Sequence, residues 1–390
     1  TKILVREIRQ KLTGGSSNCS TDKQLRLEKL IENQDIQIEV SYGDVTEDKP
    51  NTDGFHQAIE QLGSNKAETR LGAIYTLEQI AKDVPAKQWT IVEILAAFIR
   101  ENAPVFSSDR DEDEEVEERI SLLPTDIQAA LTAIARRDIS KEPENQKLDL
   151  RYINISNADL TEGNLQDADF TGSDLRGVIF YGANLKAADF SGVNLQEAVM
   201  YEADLHEALF YEANLQMAIL RKANLKNAIF YGADLQSATL YDANLSEAIF
   251  YQAKLQATNF CDANLARANL EACNLTNGNL IGANLQGANL IGANLQNATF
   301  STANLQEAIL LEAVLSKTNF SDANLSKANL VGANLAGTIF QDANLNGADL
   351  SRVENLEAQQ IETALGDSTT ILPDGLAIPS HWTNVNYESL

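Results

Sequence analysis

Histidine and cysteine side chains are the residues most able to hold a metal or act as a nucleophile, and this chain has three of each. The histidines are His56, His206 and His381, and none stands at metal-ligand spacing from another His or Cys. His206-Glu207 is followed by Ala-Leu-Phe, so the second histidine of a zinc HExxH motif is missing. The chain also lacks a phosphate-binding glycine loop and a nucleophile elbow. We therefore predict no catalytic residue, no metal site and no cofactor.

The cysteines indicate a compartment rather than a chemistry. Cys19, Cys261 and Cys273 are too far apart in the chain to form a metal or redox motif. An odd number of scattered cysteines is typical of a reducing environment. We expect a cytoplasmic protein, with membrane association left open only through a segment preceding Thr1.

A dense group of carboxylates lies in an acidic loop expected at residues 107–121. Residues 109–118 hold eight carboxylates against one arginine. Such a run repels itself, so we expect a solvated loop. Binding of Ca²⁺ or a basic partner is the open alternative, although the alternating ligands and the glycine of a calcium loop are missing.

The middle of the chain is a five-residue repeat without insertions. Every position divisible by five from 155 to 350 is Leu, Phe, Ile or Met, and 28 of these 40 residues are Leu. Two residues earlier stands a small residue, which is Ala in 30 cases. A period of five suits neither a helix at 3.6 nor a strand at 2.0. It predicts a solenoid in which these two positions point inward and short strands alternate with turns.

A second period gives the length of one coil. Phe170, Phe190 and Phe210 recur every 20 residues, and so do Asn264 and Asn284. Stacking of like residues on like stabilises neighbouring parallel strands. A coil of 20 residues, or four repeats, is therefore expected, because a coil of ten could not enclose two large side chains.

The repeat, as in Ala283-Asn284-Leu285, resembles the A(D/N)LXX consensus of the pentapeptide-repeat family. The resemblance covers roughly half of the chain. It implies a mainly β fold, a right-handed quadrilateral β-helix of about ten coils over residues 148–354.

The flanking segments are expected to close the two ends of this solenoid, since an open end would expose apolar side chains and unpaired strand edges. Residues 1–52 are read as a flexible, partly helical segment. Residues 53–140 are read as an α-helical domain, in which residues 70–77 (RLGAIYTL) resemble armadillo and HEAT helix pairs and the helical domain of some bacterial pentapeptide-repeat proteins. Residues 355–390 are read as a short helix, about 355–365, and a tail burying Leu356, Ile361 and Trp382.

Outward-facing apolar residues are the one feature of the repeat that points to function. We predict that they form an interaction surface on two opposite sides of the solenoid: Leu209, Tyr211, Ile229, Tyr231, Ile249 and Tyr251 on one, and Ile179, Tyr181, Val199, Tyr201 and Tyr241 on the other. Exposed apolar area usually marks a contact. Two alternatives stay open: such residues simply suit strand surfaces, or the helical domain covers one side.

Charge narrows the partner. The formal net charge is −26, and residues 151–350 hold 21 acidic and 10 basic side chains. Direct nucleic-acid binding is disfavoured because phosphate contacts need Lys and Arg. The main prediction is a non-enzymatic scaffold for protein partners, with homo-oligomerisation left open. The alternative follows from the resemblance, because quinolone-resistance proteins of this family imitate DNA and occupy DNA gyrase.

Overall fold

The computed structural model describes residues 49–105, 123–143 and 146–383. Nearly all of the expected N-terminal segment and the whole acidic loop lie outside these residues. None of the helices in the described part combines the length and apolar composition needed to cross a membrane.

In the described residues before the repeats there are four α-helices: α1 at Lys49–Leu62, α2 at Ala67–Asp83, α3 at Gln88–Asn102 and α4 at Thr125–Ala135. Helix α2 packs against both α3 and α4. Its apolar residues recur at helical spacing, so a single stripe faces the core. The buried side chains of this domain include Ile74, Leu77, Ile91, Leu95, Ile99, Ile127, Leu131 and Ile134.

From residue 149 onward the chain pairs with itself at a spacing of 20 residues, as in Asn164 with Asn184 and Asn184 with Asp204. All of these pairings up to Glu354 are parallel bridges between single outward-facing residues. From Asp149 to Asp349, the small or apolar residue before each of these bridging residues and the large residue after it point inward and are buried. In the interior, Phe210 stacks on Phe230 and Phe230 on Phe250, with centroids 4.7 and 4.6 Å apart.

Every turn between these short strands needs a left-handed residue. The N–H of Ala158 donates to the carbonyl of Ile155 at 3.0 Å, and the intervening Asn157 has φ of 62°. A positive φ at the third turn residue alone is the pattern of a type II turn. Glycine serves this position at Gly172, where an added Cβ would lie 2.6 Å from the Tyr152 ring. Most of these positions instead hold a residue with a side chain, including Thr302 at 60°, and therefore carry strain.

The helical domain supplies acceptors for the N–H groups at the first coil's open edge. In later coils an outward residue donates to the preceding coil, as Asp174 does to the Ile153 carbonyl at 2.9 Å. The first coil has no preceding coil, so its donors use the helical domain: Asn154 bonds Ala103 O at 2.7 Å, Asn164 bonds Ala135 O at 2.7 Å and Asp159 bonds Gln128 Oε1 at 2.9 Å. This pairing satisfies backbone groups that would otherwise form an exposed strand edge.

Carbonyls on the same edge are satisfied by side chains of the helical domain. Gln128 Nε2 donates to the Asp159 carbonyl at 2.7 Å. Arg137 donates to the carbonyls of Asn164 and Gln166. The Arg137 side chain is buried and forms an ion pair with Glu142 at 3.0 Å. Burial lowers the pKa of Arg137, and the Glu142 charge opposes that effect.

We call the stack of coils the rod. Its other end is closed by the C-terminal segment. Leu365 and Ile371 add the last bridges, to Asn344 and Asp349, so the spacing there is 21 and 22 residues. Helix α5 spans only Ala358–Ile361. It is shorter than the expected 355–365, because the chain must return to the ladder at Leu365.

Gln360 and Trp382 fasten this segment to the rod. Gln360 Nε2 donates to the carbonyls of Leu335 and Thr338, at 2.9 and 2.7 Å. The Trp382 ring is 2% exposed, and its Nε1 donates to the Ala364 carbonyl at 2.8 Å. Ile361 is also buried. Leu356, expected to be buried, is only half-buried.

Candidate interaction surface

The predicted surface residues fall on two ladders that run along the rod. We call Leu209, Tyr211, Ile229, Tyr231, Ile249 and Tyr251 the tyrosine stripe, and Ile179, Tyr181, Val199, Tyr201 and Tyr241 the opposite stripe. Leu209, Ile229 and Ile249 bridge in sequence, and so do Ile179 and Val199. In both stripes each tyrosine lies in the turn after its strand, immediately before the residue with positive φ. The two stripes therefore have the same construction, and only exposure can distinguish them.

The tyrosine stripe is open to solvent. Tyr211 and Tyr231 are 39% and 41% exposed, and Ile249 is 38% exposed. Leu209, Ile229 and Tyr251 are half-buried. The ring centroids of Tyr231 and Tyr251 are 5.6 Å apart at an interplanar angle of 27°, whereas Tyr211 and Tyr231 are tilted by 41° at 6.2 Å. The stripe is a continuous apolar strip with its rings imperfectly stacked.

The aliphatic residues of the opposite stripe are buried. Ile179 and Val199 are 8% and 2% exposed, although both occupy outward-facing positions. The rings of Tyr181 and Tyr201 lie parallel within 2°, with centroids 5.5 Å apart. Further along the same corner, the Arg221 guanidinium lies 5.0 Å from the Tyr241 ring centroid. Ile179 and Val199 therefore do not offer the exposed apolar surface predicted for them, whereas Tyr181, Tyr201 and Tyr241 are half-buried and their rings contact one another or a cation.

A third face of the rod is polar for most of its length. Asn284 donates its side-chain amide to Asn264, and Asn304 donates to Asn284, each at 3.1 Å. The same ladder continues to Asn344. These amides satisfy one another, as in asparagine ladders of stacked strands. Within the two stripes, the most exposed residues are Tyr211, Tyr231 and Ile249 of the tyrosine stripe; further along the ladder and corner of the opposite stripe, Ile339 and Ile281 are also exposed.

Acidic residues border the tyrosine stripe. On its own ladder it is preceded by Asp189, which bridges Leu209. Glu212 on one corner and Glu207 and Glu247 on the other are exposed. Glu271 follows Tyr251 in the next coil. Sequence reasoning did not single out these carboxylates, although reading the chain in steps of 20 residues would have placed them beside the stripe.

Other features of the described residues offer less. They contain no group of three or more His, Cys, Asp or Glu residues arranged to hold a metal ion. A cavity of about 30 Å³ is lined by residues of the helical domain. A second cleft, of about 210 Å³, lies between α2 and α4 and is lined by Tyr75, Glu78, Gln128 and Arg136, among others. Cys273 is buried, and burial raises the pKa of its thiol to about 12, so the thiol stays protonated.

Comparison with known proteins bears on the repeat tract. A family model for pentapeptide repeats matches in eight copies, over residues 153–192, 263–301, 283–322, 300–335 and 318–354. A second model, for a pentapeptide repeat region, matches residues 203–280. No curated protein matches the chain.

Solved structures of similar proteins come from several sources. HetL of the cyanobacterium Nostoc sp. strain PCC 7120, a pentapeptide repeat protein involved in heterocyst differentiation regulation, is 31% identical; the match covers 61% of this chain and 95% of HetL, with a TM-score of 0.45. A pentapeptide repeat protein of the Arabidopsis thaliana thylakoid lumen is 32% identical, over 29% of this chain and 77% of that one, with a TM-score of 0.22. QnrB1, a plasmid-mediated fluoroquinolone resistance protein, is 19% identical, over 54% and 84%, with a TM-score of 0.25.

The assignment rests on the repeat and its register rather than on overall superposition. The matched residues are those whose inward positions are buried and whose outward positions bridge at a spacing of 20 residues. From these features and the two matching repeat models, the chain belongs to the pentapeptide-repeat family.

Proposed function

We propose that this chain is a non-enzymatic interaction protein, a right-handed four-sided β-helix of about ten coils that binds a protein partner through the tyrosine stripe. The observation that carries the proposal is the contrast between two stripes of the same construction. Ile249 is 38% exposed, whereas Val199, in the equivalent position on the opposite side, is 2% exposed.

Burial of the stripe in a complex would supply the apolar part of an interface. Tyrosine is prominent among interface residues because it buries a large apolar ring at small entropic cost and keeps a polar hydroxyl. A specific interface buries roughly 800 Å² on each partner. Six partly exposed side chains form only the centre of such an area, so the acidic border must contribute the rim.

The rest of the molecule supports a rigid scaffold. Both ends of the rod are covered, by the helical domain and by the C-terminal segment, which leaves the sides of the rod for binding. The sequence carries no recognised catalytic motif. We also propose a cytoplasmic location, from the spacing of the cysteines.

Photocrosslinking tests the proposal directly. A photoreactive phenylalanine analogue at Tyr231 in the full chain should form an adduct with a partner in lysate of the source organism. The same analogue at Tyr201, on the opposite stripe, is the matched control and should give none. Replacing Tyr211, Tyr231 and Tyr251 with Ser should abolish recovery of that partner. Equal adducts at the two positions, or full recovery by the triple variant, would refute the proposal.

Acidity alone favours a second candidate, imitation of DNA. The net charge is −26, and acidic side chains outnumber basic ones in the repeat tract. Within that tract, however, asparagine rather than aspartate fills most outward ladder positions. A supercoiling assay with excess protein tests this candidate, since a mimic would inhibit DNA gyrase and a protein scaffold would not.

A further inference from the structure

The tyrosine stripe has a geometry that selects the shape of its partner. Its exposed residues form two parallel rows, one on the strand and one on the turn, and each row advances by one residue per coil. Neighbouring parallel strands are about 4.8 Å apart. The stripe is thus a narrow apolar strip along the rod axis, about 10 Å long from the first of its three coils to the third.

An α-helix lying along this strip matches its spacing. Apolar residues on one face of a helix recur at every third or fourth position, an average advance of about 5.2 Å at 1.5 Å per residue. Over three coils the helix and the strip therefore drift apart by only about 1 Å. A side chain of the helix can meet each of the three coils.

An added strand is a poor alternative. The backbone N–H and C=O groups of the stripe already bond the neighbouring coils, as the Ile229 N–H does to the Ala208 carbonyl at 3.0 Å. Strand addition requires a free sheet edge. The two edges of this rod are at its ends, and both are covered.

Charge around the stripe excludes some partners and favours others. Over the three coils of the stripe the border holds the exposed Glu207, Glu212 and Glu247 against one basic turn residue, Lys226; Lys186 and Arg267 occupy the same corner in the coils before and after. A second copy of this chain would bring the same carboxylates into contact, at a net charge of −26 on each chain. Like charges facing each other oppose association. Lysine and arginine on the partner would pair with this border and could also lie over the exposed tyrosine rings.

We propose that the partner binds through a basic amphipathic helix laid along the rod axis, with its apolar face on the tyrosine stripe and its Lys and Arg residues toward Glu207, Glu212 and Glu247. This inference rests on the proposed function and adds the shape and charge of the partner. The contact spans about ten residues of that helix, the length of three coils plus the side chains at each end.

A designed peptide tests the helix. The probe is a fluorescent peptide of about fourteen residues, with Leu along one face, Lys elsewhere, and one Glu whose carboxyl group forms a lactam with the Lys four residues away. Its control is the same peptide with one central residue replaced by Pro, which prevents a helix. In fluorescence anisotropy with the full chain, the bridged peptide should bind at least about tenfold more tightly than the Pro peptide. It should also bind at least about tenfold more tightly to wild type than to the triple Ser variant of Tyr211, Tyr231 and Tyr251.

The matched protein control is Tyr181→Ser with Tyr201→Ser, which removes rings from the opposite stripe and should leave peptide affinity unchanged. Equal binding of the bridged and Pro peptides would overturn the proposal that the partner binds as a helix. Equal binding to wild type and the triple variant would overturn the proposal that the binding site is the tyrosine stripe.

The crosslink at Tyr231 separates this inference from the proposed function. A partner adduct that maps to a basic helix supports both. A partner adduct that maps to a strand or loop overturns the helix and leaves the interaction protein intact. Absence of any adduct at Tyr231 overturns the proposed function itself, whatever the designed peptide does.

Discussion

Replacing Trp382 with Ala should open the C-terminal end of the rod while leaving the middle folded. The ring is 2% exposed and its Nε1 donates to the Ala364 carbonyl at 2.8 Å. It lies against Gly366 so closely that an added Cβ there would be 2.5 Å from a ring carbon. Loss of the ring therefore leaves a cavity over the last strands that backbone atoms cannot fill.

The expected cost is about 3 kcal/mol, the lower end of the range for Trp to Ala in a core. The lower end applies because His381 Nε2 also lies 2.9 Å from the Ala364 carbonyl and remains in the variant. At 1.4 kcal/mol per factor of ten, the local opening equilibrium should rise by about a hundredfold. In a solenoid each coil contacts only its neighbours, so the loss should stay near the end.

Hydrogen exchange measures this opening at named amides. The N–H groups of Leu345 and Leu350 donate to the carbonyls of Leu365 and Ile371, the last two bridging residues, and Leu365 stands between Ala364 and Gly366, which contact Trp382. Both should exchange about a hundredfold faster in the variant. The N–H of Leu245, which bonds Asn264 in the middle of the rod, is the internal control and should not change. Unchanged exchange at Leu345 and Leu350 would refute the capping role of Trp382.

Three further predictions concern the N-terminal junction, the turns and pH. Arg137→Met should destabilise the helical domain by about 3–5 kcal/mol, because Glu142 and the edge carbonyls lose their buried partner. Urea unfolding should show this loss when it is followed by Trp89 fluorescence in a Trp382→Phe background. An unchanged urea midpoint would contradict the prediction. Thr302→Gly should stabilise the rod by about 0.5–1 kcal/mol, since φ is 60° there. Thermal melting measures this gain. The control is Ser301→Gly, which relieves no positive φ and should not raise the melting temperature. Burial raises the pKa of Asp149, but hydrogen bonds from Arg151 and the charges of Arg100 and Arg151 outweigh it, so the pKa lies below the ordinary value of an aspartate. Its stabilising contribution is therefore present above that value and lost as pH falls, so wild type and Asp149→Asn should converge in urea midpoint at low pH; a constant difference would contradict this.

The repeat tract shows how far local patterning reaches. Its inward positions could be read directly, because a buried position repeated every five residues tolerates only apolar or small residues, and all 40 centres are buried. The spacing of the phenylalanines indicated which residues would stack, since like residues of successive coils must superimpose. The absence of proline from residues 151–350 agreed with an unbroken ladder.

From the sequence, it could be predicted only that the two ends of the solenoid must be covered, not which residues cover them. An exposed strand edge must be covered, but nothing in the local pattern of Gln128 or Arg137 marked them as partners of the first coil. Their hydrogen bonds cross 27 to 31 residues of sequence and depend on where the helices end in space. The local pattern predicted a longer C-terminal helix than the structure has. The chain must rejoin the ladder at Leu365, and this long-range requirement sets where the helix ends.

By itself, the sequence determined that a solenoid forms, which residues fill it and which side chains recur on its outer corners, because these follow from a fixed period. Tertiary structure alone decided that Ile249 is accessible and Val199 is not. The two occupy equivalent places in the repeat, so the local pattern does not distinguish them. Their surroundings come from neighbouring coils, about 20 positions away in the sequence, and leave Tyr211, Tyr231 and Ile249 accessible while burying Ile179 and Val199.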